Sequence, residues 1–112
     1  MIYLIIMKKI FVTGATGFIG SNVLKQANKL GIIVKALRRN SKSCPSIKLI
    51  NEPQWITKEL NNLNIKDLND CDAIVHLAAC GVSPQKASLV EMIDTNVHGT
   101  INLLNLASKA DI

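Results

Sequence analysis

The sequence predicts an α/β fold, part of a doubly wound parallel sheet built from strand-helix-strand units. Three observations carry that prediction. Glycines stand at 14, 17 and 20 directly after the apolar run Ile10-Phe11-Val12, so a strand turns sharply into a helix. The β-branched run Ile32 to Leu37 follows that helix at once. A second run, Ala73 to Ala79, apolar but for His76, precedes another long helical pattern.

Each element has its own signal. Met7-Lys8-Lys9-Ile10 reads as the natural start of the first strand, with residues 1–6 as an N-terminal extension and 7–112 as one unit. Ile10 to Val12 is apolar without alternation, as a strand covered on both faces requires. From Phe18 to Leu30, Ile19, Val23, Ala27 and Leu30 recur at helical spacing, and Gly31 stands where a C-terminal cap belongs. Ile32 to Leu37 is the second strand, reached by a right-handed crossover. Asn40 to Pro45 reads as a loop, and Ile47 to Ile50 as a short third strand.

Residues 51–70 carry the weakest signal, with Pro53, a lone Trp55, an Asn-rich stretch and a short helix expected near Thr57 to Leu63. Ala73 to Ala79 is the fourth strand, giving the order 3-2-1-4. Ser83-Pro84 breaks the chain, and Ser88-Leu89-Val90-Glu91 has the pattern of a capping box. Leu89, Ile93, Val97, Ile101 and Leu104, with Met92, Thr100 and Ala107, form a broad apolar face on the helix that follows. Gly99 within it costs roughly 1 kcal/mol relative to alanine, which implies close packing there.

Bulk properties narrow the function. A chain of 112 residues supports one core, and 48% hydrophobic with 19% charged residues is a globular composition. The 4% aromatic share, with no basic run interleaved with aromatics, argues against a nucleic-acid partner. Residues 1–51 hold nine Lys or Arg and no acid, whereas 52–112 hold four basic and eight acidic side chains. A basic half beside a glycine turn suits an anionic ligand. Individually, Lys25, Lys29, Lys42 and Lys48 fit a solvated surface equally well.

Cys44, Cys71 and Cys80 are odd in number and form no C-x-x-C pair, which points to neither a disulfide framework nor a zinc site and favours a cytoplasmic location. The apolar start is too short to span a bilayer, so no membrane partner is expected. No cluster of metal ligands stands out, and no metal is expected. Cys80 lacks an evident partner base, His76 in an apolar run reads as a structural histidine, and His98 with Asp94 suggests a local i,i+4 contact.

The glycine turn bears on chemistry directly. Gly14 permits the reversal, Gly17 lets backbone approach a pyrophosphate, and Gly20 allows close helix-strand packing, while the helix start supplies N–H groups and a positive dipole end. A P-loop is excluded because no lysine precedes Ser21. At the end of the second strand, an acid would bind a ribose 2′-hydroxyl and a basic residue a 2′-phosphate. Arg38 and Arg39 stand there with no acid nearby, which favours NADP(H), with NAD(H) as the alternative.

Thr13-Gly14-Ala15-Thr16-Gly17-Phe18-Ile19-Gly20, Asp72-Ala73-Ile74-Val75-His76-Leu77-Ala78-Ala79 and Asn96-Val97-His98-Gly99-Thr100-Ile101-Asn102-Leu103-Leu104 occur in that order. Together they resemble the extended short-chain dehydrogenase/reductase superfamily, in particular the NAD-dependent epimerase/dehydratase family, from about Met7 to the end. The resemblance implies the N-terminal part of an NAD(P)-binding Rossmann domain, truncated after the helix that follows strand 4. It implies that Gly14, Gly17 and Gly20 hold the pyrophosphate, with Thr16, Phe18 and Ile19 contributing backbone. Leu77, Ala78 and Ala79 then line the adenosine and ribose side, and Asn96 helps organise the active site.

Family members place an aspartate after the third strand to bind adenine, and Glu59 and Asp67 are the candidates here. The family's catalytic tyrosine and lysine lie downstream of the long helix, and the only tyrosine of this chain is Tyr3. No catalytic residue is therefore nominated, and the chain alone is expected to be inactive, with the catalytic and substrate-binding half absent. The resemblance implies a nucleotide-sugar-like substrate in a full-length relative, with hydride exchanged with nicotinamide. The alternative is a non-catalytic dinucleotide-binding or redox-sensing module. The long C-terminal helix is a candidate homodimer surface, and its uncovered apolar face predicts a marginal, aggregation-prone chain.

Overall fold

Four parallel strands form one sheet in the order β3-β2-β1-β4, the order expected from the sequence. The structure, a computed structural model, describes residues 8–81 and 86–112, so the extension at 1–6, the Met7 start and the Ser83-Pro84 break lie outside the described residues. The elements run β1 (Lys9–Thr13), α1 (Phe18–Leu30), β2 (Ile33–Arg38), β3 (Gln54–Thr57), 3-10 turns at Leu60–Asn62 and Ile65–Leu68, and β4 (Ala73–His76). A final helix comprises α2 (Leu89–Met92), a π turn (Ile93–His98) and α3 (Gly99–Lys109).

Side-chain alternation along the strands sorts the core into two layers. Ile10, Val12, Val34 and Ala36 face α1 through Leu24 and Ala27. Phe11 and Leu37 point the other way and pack with Leu63, Leu68, Cys71 and Leu103 of the 3-10 turns and α3. Gly31 ends α1 in the left-handed conformation at φ 69°, its N–H reaching back to Asn28. Asp72 joins β4 to β1: its carboxylate accepts the Lys8 and Lys9 N–H groups at 2.8 and 2.9 Å.

Several expectations are corrected. The third strand is Gln54–Thr57 rather than Ile47 to Ile50; Ile50 is 86% exposed and only Leu49 of that run packs on the core. Register explains the choice, because Trp55 pairs with Ala36 and packs on the α1-side cluster while the Arg38 guanidinium covers its ring at 4.8 Å. The short helix near Thr57 to Leu63 is instead a pair of 3-10 turns, the second opened by a reciprocal cap in which Asn64 and Asp67 each bond the other's N–H. At the last helix, Ser88 Oγ accepts the Glu91 N–H at 3.1 Å, and only that serine half of the expected box is formed among the described bonds.

β4 stops at His76 instead of continuing to Ala79, because the Ala78 N–H turns to the Thr13 hydroxyl and Leu77 shares its own between that hydroxyl and the Thr13 carbonyl. The apolar row Leu89, Ile93, Val97, Ile101 and Leu104 lies 41–69% exposed, while Gly99, Leu103 and Ala107 face inward. Gly99 is closely packed as expected: a Cβ there would sit 2.5 Å from Leu60 Cδ2. Among the described residues no helix is long and apolar enough to cross a membrane.

Two outcomes follow from this packing. A Cβ at Gly20 would land on the Gly14 carbonyl oxygen, which is backbone and cannot swing aside. Gly20→Ala should therefore lower stability by about 3 kcal/mol or more in denaturant titration, overpacking outweighing its better helix propensity. The Lys9 and Lys8 amides hold the Asp72 carboxyl below its ordinary range, so its contribution is present above the unfolded value near 4 and is lost as pH falls through the folded one. Asp72→Asn should lose less stability than the unaltered chain when acidified from about pH 5 to about pH 2, measured by denaturant midpoints.

Candidate functional site

Because all strands are parallel, their carboxyl ends share one edge, and the crossovers diverge on either side of β1. A cleft of about 850 Å³ opens there. Gly14, Thr16 and Gly17 line it from the first turn, Arg38 and Arg39 from the end of β2, and Leu77, Ala78 and Ala79 from the segment after β4. Phe18 and Ile19 begin α1 with side chains 80% and 64% exposed, Gly20 is buried beneath the turn, and none of the three lines the cleft. A separate hollow of about 440 Å³ at the amino ends of β2 and β3 contains none of the motif residues.

The three glycines differ physically. Gly14 adopts φ +70°, and a Cβ would sit 2.7 Å from the Leu77 carbonyl carbon and 2.8 Å from the Ala78 nitrogen. Gly17 is different, since a Cβ there meets only the Gly14 carbonyl oxygen at an ordinary 3.5 Å. Its missing side chain is not needed for the chain's own packing, and the space it leaves faces the cleft. Gly17 provides no side-chain cap to α1, so the first-turn N–H groups stay available to an anion.

Charges around the cleft are partly matched. Arg38 donates from Nε to Thr57 Oγ1 at 3.2 Å and lies over Trp55, so its guanidinium is held along β3. Arg39 is exposed and loosely paired with Glu59 at 3.9 Å. Of the two candidate acids, Glu59 lines the cleft, whereas Asp67 is engaged by Lys58 at 2.8 Å and by the Asn64 N–H at 2.9 Å. Lys25, Lys29, Lys42 and Lys48 are all exposed and none lines the cleft. His98 and Asp94 make the local contact at 3.8 Å.

Asn96 stands on the π turn, outside the lining, and acts on it through Cys80. Its Oδ1 accepts the Cys80 N–H at 2.9 Å and its Nδ2 donates to the Cys80 carbonyl at 3.0 Å. The Cys80 thiol points to the Glu91 carbonyl at 3.2 Å. His76 is bonded at both ring nitrogens, to Thr13 Oγ1 at 2.6 Å and Thr100 Oγ1 at 2.9 Å, and burial pushes its titration downward. Sequence reasoning missed the part Thr13 and Thr100 play here. The available signal was a hydroxyl residue ending one strand and a histidine ending another, but their pairing appears only with the register Thr13↔His76.

Residues 10–112 match the model of the NAD dependent epimerase/dehydratase family. The chain is 35% identical over 108 residues to CDP-abequose synthase of Salmonella typhimurium, covering 92% of this chain and 36% of that protein. It is 34% identical over 105 residues to ADP-L-glycero-D-manno-heptose-6-epimerase of Brachyspira hyodysenteriae, covering 87% of this chain and 32% of that protein. The solved structure of MoeE5 in complex with UDP-glucuronic acid and NAD superposes with a TM-score of 0.75 at 31% identity, over 91% of this chain and 33% of that one. The chain thus spans about a third of the length of these relatives. With the family match running from β1 through the last helix, across the glycine turn and the segment after β4, the chain belongs to the NAD dependent epimerase/dehydratase family.

Proposed function

We propose that this chain forms the dinucleotide-binding part of an NAD(P)-dependent epimerase, dehydratase or reductase whose substrate is a nucleotide-linked sugar. The observation that carries the reading is the difference among the glycines. Gly14 and Gly20 are small because backbone crowds them, whereas Gly17 leaves unoccupied room beside the open N-terminus of α1. Such room suits a pyrophosphate, and a Cβ-bearing side chain would fill it.

In this reading the turn from Gly14 to Gly20, with the backbone of Thr16, Phe18 and Ile19, holds the phosphates by N–H donation and the helix dipole. Leu77, Ala78 and Ala79 form the apolar wall of the adenosine and ribose side. Glu59 is the better acid for the adenine amino group, because Asp67 is already bonded to Lys58 and Asn64. Arg39 is the better partner for a 2′-phosphate, since Arg38 is committed to Trp55 and Thr57. Asn96 orients the Cys80 peptide at the far wall. The nicotinamide, when bound, supplies hydride exchange.

The substrate class is supported by the named relatives, which include a CDP-sugar synthase, an ADP-heptose epimerase and a structure holding a UDP-sugar with NAD. The exposed row from Leu89 to Leu104 is where we place a homodimer contact.

Gly17→Val should abolish NAD(H) and NADP(H) binding in isothermal titration while the chain still unfolds cooperatively on heating, because φ −77° suits valine and a Cβ there meets only the Gly14 carbonyl oxygen, at an ordinary 3.5 Å. Retained binding in that variant sinks the pyrophosphate assignment. Arg39→Ala should weaken NADPH by about 10- to 100-fold and NADH much less, as loss of a charge-assisted bond to phosphate predicts. Equal losses for the two coenzymes would remove the basis for an NADP preference.

A further inference from the structure

Thr13 ends β1 and His76 ends β4, and their hydroxyl and ring meet at Nδ1. The same Thr13 Oγ1 accepts the Ala78 N–H at 3.1 Å and, at 3.0 Å, the Leu77 N–H that it shares with the Thr13 carbonyl. On the far side of the ring, Nε2 lies 2.9 Å from Thr100 Oγ1, and that hydroxyl donates to the Asn96 carbonyl at 2.8 Å.

Hydrogen inventory gives this chain a direction. A threonine hydroxyl has one hydrogen and two lone pairs. Two amides face the Thr13 oxygen, so its hydrogen goes to Nδ1, which must be the unprotonated ring nitrogen. The Thr100 hydrogen is committed to Asn96, so its oxygen accepts from Nε2–H. One state of the ring satisfies every contact: neutral imidazole with its hydrogen on Nε2.

A proton added at Nδ1 reverses the first link. The Thr13 oxygen would then face three donors with two lone pairs, and its own hydrogen would lose its acceptor, so the hold on the Leu77–Ala78 peptide loosens. That peptide is the one Gly14 packs against, and it lines the cleft. The other end of the chain is Asn96, whose side chain clamps Cys80 in the same wall. Charged and titratable groups on the surrounding elements are Lys9 on β1, Asp70, Cys71 and Asp72 before β4, Cys80 after it, Glu91, Asp94, His98 and Lys109 on the last helix, and Lys58, Glu59, Lys66 and Asp67 around the 3-10 turns. None is hydrogen-bonded to the ring, and burial is the cause of its lowered titration.

We propose that His76 is a positioning residue of the nucleotide site: as the neutral Nε2–H tautomer it pins the Leu77–Ala78 peptide against the Gly14 turn, and protonation of the ring releases that wall and weakens dinucleotide binding. The proposal rests on the dinucleotide reading above. A lowered folded-state value means that the ring's contribution to stability is full above about pH 6.5 and is lost as pH falls through the folded value.

The test uses the full chain and NAD+, whose pyrophosphate does not titrate near neutrality as a 2′-phosphate does. Ring nitrogen NMR of the free chain at pH 7.5 should show Nε2 protonated and Nδ1 bare. NAD+ affinity should then fall by up to about tenfold per pH unit, with a midpoint that follows the His76 titration. His76→Gln should flatten that profile, and Thr13→Ser should keep both the tautomer and the slope. His98→Gln, which removes the other histidine, should keep the slope as well. An Nδ1–H tautomer, or an unchanged slope in His76→Gln, overturns the proposal. If His76→Gln does not fold, a binding midpoint in the unaltered chain that departs from the ring's titration overturns it. Absence of NAD+ binding at every pH overturns the dinucleotide reading and the coupling together, whereas the tautomer is measured independently of both.

Discussion

The backbone of the first turn lies against the backbone that leaves β4, and this contact governs the carboxyl edge of the sheet. Gly14 has no room for a Cβ because the Leu77–Ala78 peptide occupies it, and Gly20 has none because the Gly14 carbonyl does. Two segments distant in sequence, the first turn and the stretch after β4, thus meet without intervening side chains. The Thr13 hydroxyl closes the junction by taking the Ala78 N–H and sharing the Leu77 N–H with the Thr13 carbonyl. Gly14, Leu77 and Ala78 of this junction line the cleft directly.

The last helix shows how one element serves two surfaces. Gly99 and Leu103 lie against the layer formed by Phe11, Leu37 and the 3-10 turns, while Ile93, Val97 and Ile101 face solvent. The π turn between α2 and α3 widens the helix where Asn96 reaches across to Cys80 and its carbonyl receives the Thr100 hydroxyl. The widened turn and the polar clamp coincide at Asn96.

Electrostatics at the cleft is a matter of which charges are already committed. Lys8, Lys25, Lys29, Lys42 and Lys48 are exposed, Lys35 is buried with Nζ donating to the Asn69 carbonyl, and Lys58 is paired with Asp67. Arg38 is spent on holding β3 through Trp55 and Thr57, which gives the edge strand a side-chain tie beyond its ladder. Arg39 and Glu59 are exposed and only loosely paired. An exposed pair of that kind contributes little to stability, and its partners can exchange each other for a ligand at small cost.

Sequence alone determined the strand-turn-helix-strand unit, the bounds of α1 and the strand order, because apolar runs, the glycine spacing and the Gly31 cap are local signals. The cleft residues on the first turn and at the end of β2 were legible for the same reason, and those after β4 through the resemblance carried by Asp72 to Ala79. Tertiary structure decided the rest. Gln54–Thr57 displaced Ile47 to Ile50 as the third strand because pairing with β2 and the cover of Arg38 on Trp55 outweigh the apolar content of four residues. Helical periodicity could not reveal the π turn, which adds to the helix without leaving a local mark, nor which of two apolar rows would be buried. The chain from Thr13 through His76 and Thr100 to Asn96 contains hydrogen-bond partners 63 and 24 positions apart, and partners at such separations are set by strand register and helix packing.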